Sequence, residues 1–532
     1  MRDLSYIFKE GLLSPKYRTP LFYASIAVFG AVLYGYDGTY FTSVLATRQF
    51  KHDYGTCAAG DECKINSSDK SIFTSIVFVG EFVGALSSAP IGDYFGRKGC
   101  FITACAMGII GTILQSVMVG NHPIFIVGRM ILGICVGIMS NATPLYLSEV
   151  VPTEIRAAVV GSWQCLLALG QVIGSGVGLG TKSRNDTGAY RIPICLNLIF
   201  VFIILAGQFI IPESPRWLVT RDKTEKAEKA LWKIHGARPD AQECVDDEMR
   251  QYNQTKDDEL QSSGKDATWA SVFAADNRKK LFVVCGVLIC QQISGIQIVF
   301  SYITVIAQDL ELGSDPFVVT IGVTVVELGG VICSFFIVNR YGRRPLLMYT
   351  GMTMAVFLLI MGFMGVGNYT TPSKSDTFNK VVLAMYILFT FAAWGPLAWV
   401  CASELSGGRV KNKIMSLGTG CFWISAFVVT FTLPYLYDDD KADIGSMVSL
   451  IYGFLCSLTV VFVYFCIPET RGRSLEEIIY MFDKRVPTRH WDEFDTTHIF
   501  AVDEKGQRFG GEEMEHVENN ENEHKLEKKE SA

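Results

Sequence analysis

The chain is poor in charged residues for its length. Only 19% of its 532 residues are Asp, Glu, Lys or Arg, whereas soluble globular domains contain about 25%. Hydrophobic residues make up 49%, and they gather into long apolar blocks separated by short charged stretches. Blocks of about 20 apolar residues match the roughly 30 Å hydrocarbon core of a bilayer. The low charge therefore excludes an ordinary soluble domain and indicates a polytopic membrane protein.

The sequence also lacks the patterns of catalysis and metal binding. No nucleophile–base set, phosphate-binding loop or Cys/His metal spacing appears, so we expect no enzymatic activity and no metal. Most of the 15 cysteines lie inside apolar blocks as small fillers. Cys57 and Cys63 share a polar loop and could form a disulfide if that loop lies outside the cell, which the sequence leaves open. The net charge of −6 combines an apolar body with an acidic tail and indicates no particular partner. We expect no nucleic-acid partner.

Twelve apolar blocks are long enough to cross a bilayer as helices, which satisfy their own backbone in lipid. They lie near residues 21–45, 71–92, 99–120, 122–146, 157–180, 192–211, 281–307, 317–339, 346–367, 381–402, 413–436 and 447–467. The first block is too long for a cleavable signal and is followed by more spans. The pattern predicts an all-α membrane protein with five parts. These are a cytosolic N-terminus (1–20), a six-helix bundle (21–211), a cytosolic helical linker (212–280), a second bundle (281–468), and a cytosolic tail (469–532) that is disordered from about 503.

Lys and Arg near the span ends set the expected orientation. Placing both termini in the cytosol puts most of these cations inside and leaves acidic loops outside. Three Asn-X-Ser/Thr sequons then fall in outside loops and are predicted glycosylation sites. They begin at Asn66, Asn185 and Asn368. A fourth sequon, Asn253-Gln254-Thr255, falls in the cytosolic linker, so the sequons alone do not decide the orientation.

The two halves of the sequence repeat each other. Gly96-Arg97-Lys98 follows span two, and Gly342-Arg343-Arg344 follows span eight. Glu149 and Glu404 end spans four and ten, and a Pro-Glu pair closes spans six and twelve. Because these matches recur at the same separation along the chain, they indicate a duplicated six-helix unit. In such repeats the substrate site lies near the midplane of the membrane, between the halves.

These motifs resemble the sugar porter family of the major facilitator superfamily, over almost the whole chain from about Tyr34 to Glu477. The matching motifs are Gly35-Tyr36-Asp37, Gly96-Arg97-Lys98, Gly128-Arg129, Pro144 to Glu149, Pro212-Glu213-Ser214-Pro215-Arg216, Gln291-Gln292, Gly342-Arg343-Arg344, Trp394-Gly395-Pro396 and Pro468-Glu469-Thr470. The Trp-Gly-Pro form is similar to the fungal branch. The resemblance implies two six-helix bundles, alternating access, and a monosaccharide or polyol substrate.

Few ionisable residues lie deep inside the spans, and each is a functional hypothesis because a charge in lipid is costly. Asp37 and Arg129 both lie roughly 10–12 Å below the outer surface at 1.5 Å per residue, so their depth permits a pair. In the family, an Asp at this position is typical of proton symporters. The alternative is a static pair that joins spans one and four. Glu327 and Glu81 are further carboxylates, and Glu327 stands where sugar porters commonly have Asn. We group Asp37, Arg129 and Glu327 as proton-coupling candidates, with the proton as the coupling ion and no other cofactor.

A sugar site needs amide side chains that form hydrogen bonds with neighbouring hydroxyl groups, and indole rings that pack against the apolar face of the sugar ring. Spans five and seven supply amides, and spans ten and eleven supply indoles, several of which match family sugar contacts. The predicted substrate-binding residues are Gln164, Gln171, Gln291, Gln292, Gln297, Trp399 and Trp423. Interhelical hydrogen bonding and simple packing are the structural alternatives for these side chains.

Charged residues at the cytosolic ends look like the family's gating contacts. We expect ion pairs among them to hold the outward-open state until the halves rock. They are Arg97, Glu149, Arg156, Arg343, Glu404 and Arg409.

The sequence thus predicts a proton-coupled symporter that moves a monosaccharide, with a hexose as first choice, across a fungal plasma membrane, and that works as a monomer. An uncoupled sugar or polyol facilitator and a non-transporting sugar sensor are the alternatives.

Overall fold

The computed structural model describes residues 15–57, 63–236, 241–262, 269–309, 315–367, 386–387, 390–407, 410–438, 440–471, 473, 475–491 and 494. Within these ranges the chain is helical apart from one short β-hairpin.

The first half consists of long helices joined by short turns. Its helices are α1 (Pro15–Ala46), α2 (Arg48–Tyr54), α3 (Ser67–Val117), α4 (His122–Val150), α5 (Thr153–Thr181) and α6 (Gly188–Gly207). Helix α3 covers two predicted spans, which meet at Gly96 with a φ of +79°. A glycine suits this turn because residues with a Cβ rarely adopt positive φ.

A polar linker connects the halves through four short helices. They are α7 (Pro215–Thr220), α8 (Thr224–His235), α9 (Ala241–Ser262) and α10 (Trp269–Val272).

The second half repeats the architecture of the first. Its helices are α11 (Ala275–Gln291), α12 (Gln297–Asp309), α13 (Pro316–Tyr341), α14 (Arg343–Gly367), α15 (Gly395–Leu405), α16 (Lys411–Tyr437), α17 (Val448–Cys466) and α18 (Leu475–Asp483). Single π-helical turns at Gln292–Ile296 and Thr390–Trp394 interrupt it, and 3-10 turns lie at Gly445–Met447 and Thr488–His490.

Ten helices in the described ranges are long and apolar enough to cross a membrane. One of them is the bent α3, which counts as two predicted spans, and the span predicted at 381–402 is described only in parts. The predicted all-α membrane architecture of about twelve helices is therefore confirmed.

The bundle has two recognisable ends. At one end, β1 (Thr56–Cys57) pairs with β2 (Cys63–Lys64), and a disulfide joins Cys57 to Cys63. The structure thus forms the disulfide that the sequence left open. We call this the disulfide end, and the opposite end, which carries α7 to α10, the linker end.

Glycines bring α3 and α4 into backbone contact beside the middle of the bundle. A Cβ at Gly80 would meet the carbonyl oxygen of Met130, and a Cβ at Gly137 would meet that of Glu81. In lipid the hydrophobic effect does not drive helices together, so their association depends on the close backbone packing that small residues allow. This packing fixes the position of Glu81 relative to α4.

We expect Gly137→Ala to lower the thermal transition of the purified protein in detergent. The added methyl overlaps the Glu81 carbonyl, and overpacking of this kind costs about 1–3 kcal/mol. Gly176→Ala on α5 is the matched control, because a Cβ there meets nothing within 4 Å. Equal transitions for the two variants would contradict the close contact between α3 and α4.

Candidate functional site

A cavity of about 90 Å³ lies between the halves in the middle of the bundle. Side chains from α1, α3, α4 and α5 form one wall, and side chains from the second half form the other. All seven predicted substrate-binding residues line it, namely Gln164, Gln171, Gln291, Gln292, Gln297, Trp399 and Trp423. The cavity also borders Asp37, Glu81 and Arg129. Tertiary packing therefore brings the amides, the indoles and the membrane charges into one place.

The glutamines of the second half are held by hydrogen bonds. The Gln297 amide nitrogen donates to the Gln292 side-chain oxygen at 2.9 Å, and the Ser301 hydroxyl donates to the Gln297 oxygen at 3.3 Å. The Gln291 amide nitrogen donates to the Gly395 carbonyl oxygen at 3.1 Å. These hydrogen bonds orient the amides, so a polar ligand would meet a preformed array.

A break in the helix after α11 presents these glutamines. Gly295 has a φ of +91° within the π-helical turn Gln292–Ile296. The Tyr386 hydroxyl donates to the Ser294 carbonyl oxygen at 2.8 Å and so satisfies part of the interrupted backbone. Such π turns inside helices are frequent at functional sites.

Aromatic side chains from both halves form an apolar wall. Trp423 lies 5.7 Å from Tyr34 and 6.1 Å from Phe78, measured between ring centroids. Tyr34 in turn lies 5.8 Å from Trp163. The sequence analysis missed Tyr34 and Trp163, although Trp163 adjoins Gln164 and Tyr34 lies one helical turn before Asp37. Aromatic faces of this kind pack against the apolar face of a sugar ring.

Several polar atoms around the cavity lack a hydrogen-bond partner within the described ranges. They belong to side chains that line the cavity, and they are Nε1 of Trp163, Nε1 of Trp423, Oε1 of Gln291 and Oε2 of Glu81. Buried polar atoms are normally satisfied, and each exception needs an explanation. Two donors and two acceptors around one cavity fit a ligand that carries hydroxyl groups.

Arg129 and Asp37 form a buried ion pair next to the cavity. The Arg129 Nη1 donates to Asp37 Oδ1 at 3.3 Å, and each side chain is only 2% exposed. Arg129 also donates to the Tyr40 hydroxyl at 3.2 Å and to the Phe73 carbonyl oxygen at 3.4 Å, and its guanidinium lies 4.0 Å from the Phe41 ring centroid. Arg129 therefore has polar and aromatic partners besides Asp37.

Glu327 is buried in the contact between the halves, with 1% of its surface exposed. Its carboxylate contacts the Gln171 side-chain amide, at 2.7 Å from Oε2 when the amide nitrogen faces the carboxylate. That amide orientation is assigned from the hydrogen-bond network. Glu327 itself does not line the cavity, but its partner Gln171 does.

A row of polar contacts continues from Glu327 toward the disulfide end. One helical turn along, the Ser175 and Thr324 hydroxyl oxygens lie 3.0 Å apart, and at the ends of the two helices Lys182 pairs with Asp315. We call the contacts of Gln171, Ser175 and Lys182 on α5 with Glu327, Thr324 and Asp315 on α13 the polar seam.

Further contacts join the halves at the same end. The Lys70 ammonium pairs with Asp438 at 2.7 Å, and the Tyr435 hydroxyl donates to Ser68 at 3.3 Å. Thr42 of α1 also donates to Thr304 of α12 at 3.4 Å. The disulfide end is therefore closed by polar contacts that run from the cavity to the surface.

The predicted gating residues form ion pairs within each half. Arg97 binds Glu149 through two hydrogen bonds of 2.9 and 2.7 Å, and Arg343 donates to Glu404 at 3.0 Å. The Arg156 guanidinium donates to the carbonyl oxygen of Val151 at 3.1 Å. The ion pairs coexist with a closed disulfide end, and their role in holding an outward-open state stays a prediction.

The repeated turns use backbone donors in the same way in both halves. Glu213 accepts the Arg97 N–H at 2.9 Å, and Glu469 accepts the Arg343 N–H at 2.9 Å. Burial raises the pKa of Glu213, while hydrogen bonds from the N–H groups of Ser214, Arg97 and Lys98 oppose that rise.

Two predicted glycosylation sites lie exposed at the disulfide end. Asn66 precedes the first turn of α3, and Asn185 lies in the turn between α5 and α6. Their modification stays a prediction. Asn368 and the gating candidate Arg409 lie outside the described residues.

Comparison with known proteins gives the family. The family model described as Sugar (and other) transporter matches residues 23–482. The chain is 31% identical to the major facilitator-type transporter ecdD of Aspergillus rugulosus, with 86% of each chain covered. It is 29% identical to the probable glucose transporter rco-3 of Neurospora crassa, with 92% of this chain and 83% of that one covered.

Two further likenesses are to a sensor and to a solved structure. The chain is 31% identical to the high glucose sensor RGT2 of Saccharomyces cerevisiae over 86% of its own length, but spans only 59% of that sensor. A solved structure of the proton:xylose symporter XylE superimposes with a TM-score of 0.69 at 22% identity, covering 88% of this chain and all of that one. This last likeness shows the fold alone.

The family match covers both six-helix halves and the cavity between them. The relatives are transporters and a sensor, and the family is not one of enzymes. The chain is therefore a multi-pass membrane protein that belongs to the Sugar (and other) transporter family of the major facilitator superfamily.

Proposed function

We propose that this transporter carries a monosaccharide together with a proton, with a hexose as the first candidate substrate. The observation that carries the proposal is the single cavity that joins the amides, the indoles and the Asp37–Arg129 pair. The names of the relatives rco-3 and RGT2 both refer to glucose, which supports a hexose.

Recognition of the sugar would use both walls of the cavity. Amides hold neighbouring hydroxyls because each offers two donors and an acceptor. The indole nitrogens of Trp163 and Trp423, which have no partner among the described residues, add donors, and their rings would cover the apolar face of the sugar. Hydroxyl-rich, uncharged substrates fit this set of partners.

Proton coupling would use Asp37. Burial favours the protonated carboxyl and Arg129 favours the carboxylate, so a small change in their separation shifts the proton equilibrium. The contact is one hydrogen bond of 3.3 Å rather than a bidentate pair, which would be the stronger arrangement. Each proton carried inward gains about 2.3 kcal/mol per 100 mV of membrane potential. Glu327 is the second proposed coupling residue, since it too is a buried carboxylate in a span.

Uptake in a fungal strain that lacks its own sugar carriers tests the proposal and its rivals. Labelled hexoses, pentoses, polyols and disaccharides are offered at several pH values while the pH of the medium is recorded. A symporter accumulates one class of sugar and alkalinises the medium, whereas a facilitator only equilibrates it. A protein that binds the sugar but does not transport the labelled molecule is a sensor, which is the alternative that the likeness to RGT2 favours.

We further propose that the chain acts in the plasma membrane as a monomer with both termini in the cytosol. The disulfide supports an extracellular disulfide end, and the exposed Asn66 and Asn185 lie at the same end. Labelling of an engineered tag at each terminus in intact and permeabilised cells tests the orientation. Labelling of either terminus in intact cells would overturn it.

We expect Asp37→Asn to abolish accumulation while leaving downhill movement of sugar. The amide cannot take up a proton, so the membrane potential no longer drives the substrate. Sugar-induced alkalinisation and the accumulation ratio are the measurements. Asp247→Asn in the exposed linker helix α9 is the matched control and should behave as wild type. Full accumulation by Asp37→Asn would show that this residue does not couple the proton.

Gln164→Ala should weaken sugar transport through KM. Gln164 lines the cavity, so its removal takes away a ligand for hydroxyl groups. The loss of one such contact costs about 1–2 kcal/mol, or about 5- to 30-fold in KM. Gln208→Ala is the matched control, because Gln208 is a buried glutamine that bonds to Ile204 at the far end of α6 and does not line the cavity. An unchanged KM for Gln164→Ala would remove this residue from the site.

A further inference from the structure

Glu327 contacts an amide that also belongs to the candidate sugar site. Gln171 is 4% exposed and lines the cavity, and its side chain is shared between that cavity and the Glu327 carboxylate. An amide can donate to a carboxylate through its nitrogen or accept from a carboxyl group through its oxygen. The contact is therefore available to Glu327 in either protonation state.

A sugar hydroxyl pair and a carboxyl group offer an amide similar hydrogen bonds. Both provide oxygens at neighbouring positions that accept from nitrogen. A sugar that takes the N–H donors of Gln171 would therefore compete with Glu327 for them. When no sugar is bound, Glu327 spares Gln171 the cost of a buried, unsatisfied amide.

The same contact is the first step of the polar seam. Gln171 and Glu327 are followed in register by Ser175 with Thr324 and by Lys182 with Asp315. From Gln171 to Lys182 the seam runs about 16 Å along α5, at 1.5 Å per residue. The Gln171–Glu327 contact thus links the cavity to the closure of the disulfide end.

We propose that Glu327 is a built-in substitute ligand, which occupies the sugar-binding amide of Gln171 when the carrier is empty and its disulfide end is closed. Glu327 then lowers the affinity of this state for sugar and promotes release at the linker end. This inference rests on the sugar site proposed above, and it gives the residue a role in release that is separate from any proton it carries.

The test is sugar binding to purified protein, measured by tryptophan fluorescence with the sugar that the uptake panel selects. Glu327→Leu removes the competitor and should tighten binding about 2- to 12-fold, the factor that corresponds to a hydrogen bond worth about 0.5–1.5 kcal/mol. Stopped-flow release from the same variant should slow by a similar factor. Glu327→Gln keeps an amide partner for Gln171 and should bind as wild type.

Two controls separate competition from other effects of the substitution. Ser334→Ala removes a buried hydroxyl that donates to the Val331 carbonyl oxygen within α13, outside the polar seam, so it should leave binding unchanged. In a Gln171→Ala background, Glu327→Leu should no longer tighten binding, because the contested amide is gone.

The outcomes also separate this inference from the proposed function. If wild type binds no sugar, the proposed sugar site fails. If wild type binds sugar and a folded Glu327→Leu protein binds it equally or more weakly, the substitute-ligand role fails and Glu327 is a structural residue or a direct sugar ligand. Tightening that persists in the Gln171→Ala background would overturn competition for that amide.

Discussion

The buried ion pair between Asp37 and Arg129 constrains the structure around the cavity. Ions lose favourable hydration inside a protein, and only a close counter-charge with further hydrogen bonds offsets that loss. Arg129 on α4 meets this need through Asp37 and the Tyr40 hydroxyl on α1 and the Phe73 carbonyl on α3. The requirement to solvate one cation therefore fixes how three helices meet, and it places a titratable carboxyl at the edge of the cavity.

The two halves share their turns but not their cavity chemistry. Gly96 and Gly342 both have positive φ, and each is followed by backbone N–H groups that bind a glutamate. At the cavity, in contrast, the first half supplies the ion pair and the second half supplies a broken helix that carries Gln291, Gln292 and Gln297. The repeat thus builds a common frame, whereas the differences between the halves give the cavity two chemically different walls.

The closure of the disulfide end and the lining of the cavity share helix α5. Helices α5 and α13 carry the polar seam, and Gln171 on α5 belongs to both the seam and the cavity. A change in the hydrogen bonds of the Gln171 amide therefore alters a contact between the two halves. Alternating access requires such a link, because a ligand shifts a conformational equilibrium only through contacts that differ between the two states.

The sequence by itself determined the spans, the duplicated halves and the types of residue at the site. Hydropathy suffices for spans because lipid leaves the backbone few alternatives to a helix, and the family motifs identified Gln164, Gln171 and the other amides that line the cavity. Only the tertiary structure decided which of these side chains contact one another. Tyr34 meets Trp163, and Gln171 meets Glu327, through packing of helices that are distant in the chain. Helical period and composition are local properties, whereas these contacts depend on how whole helices and halves pack together.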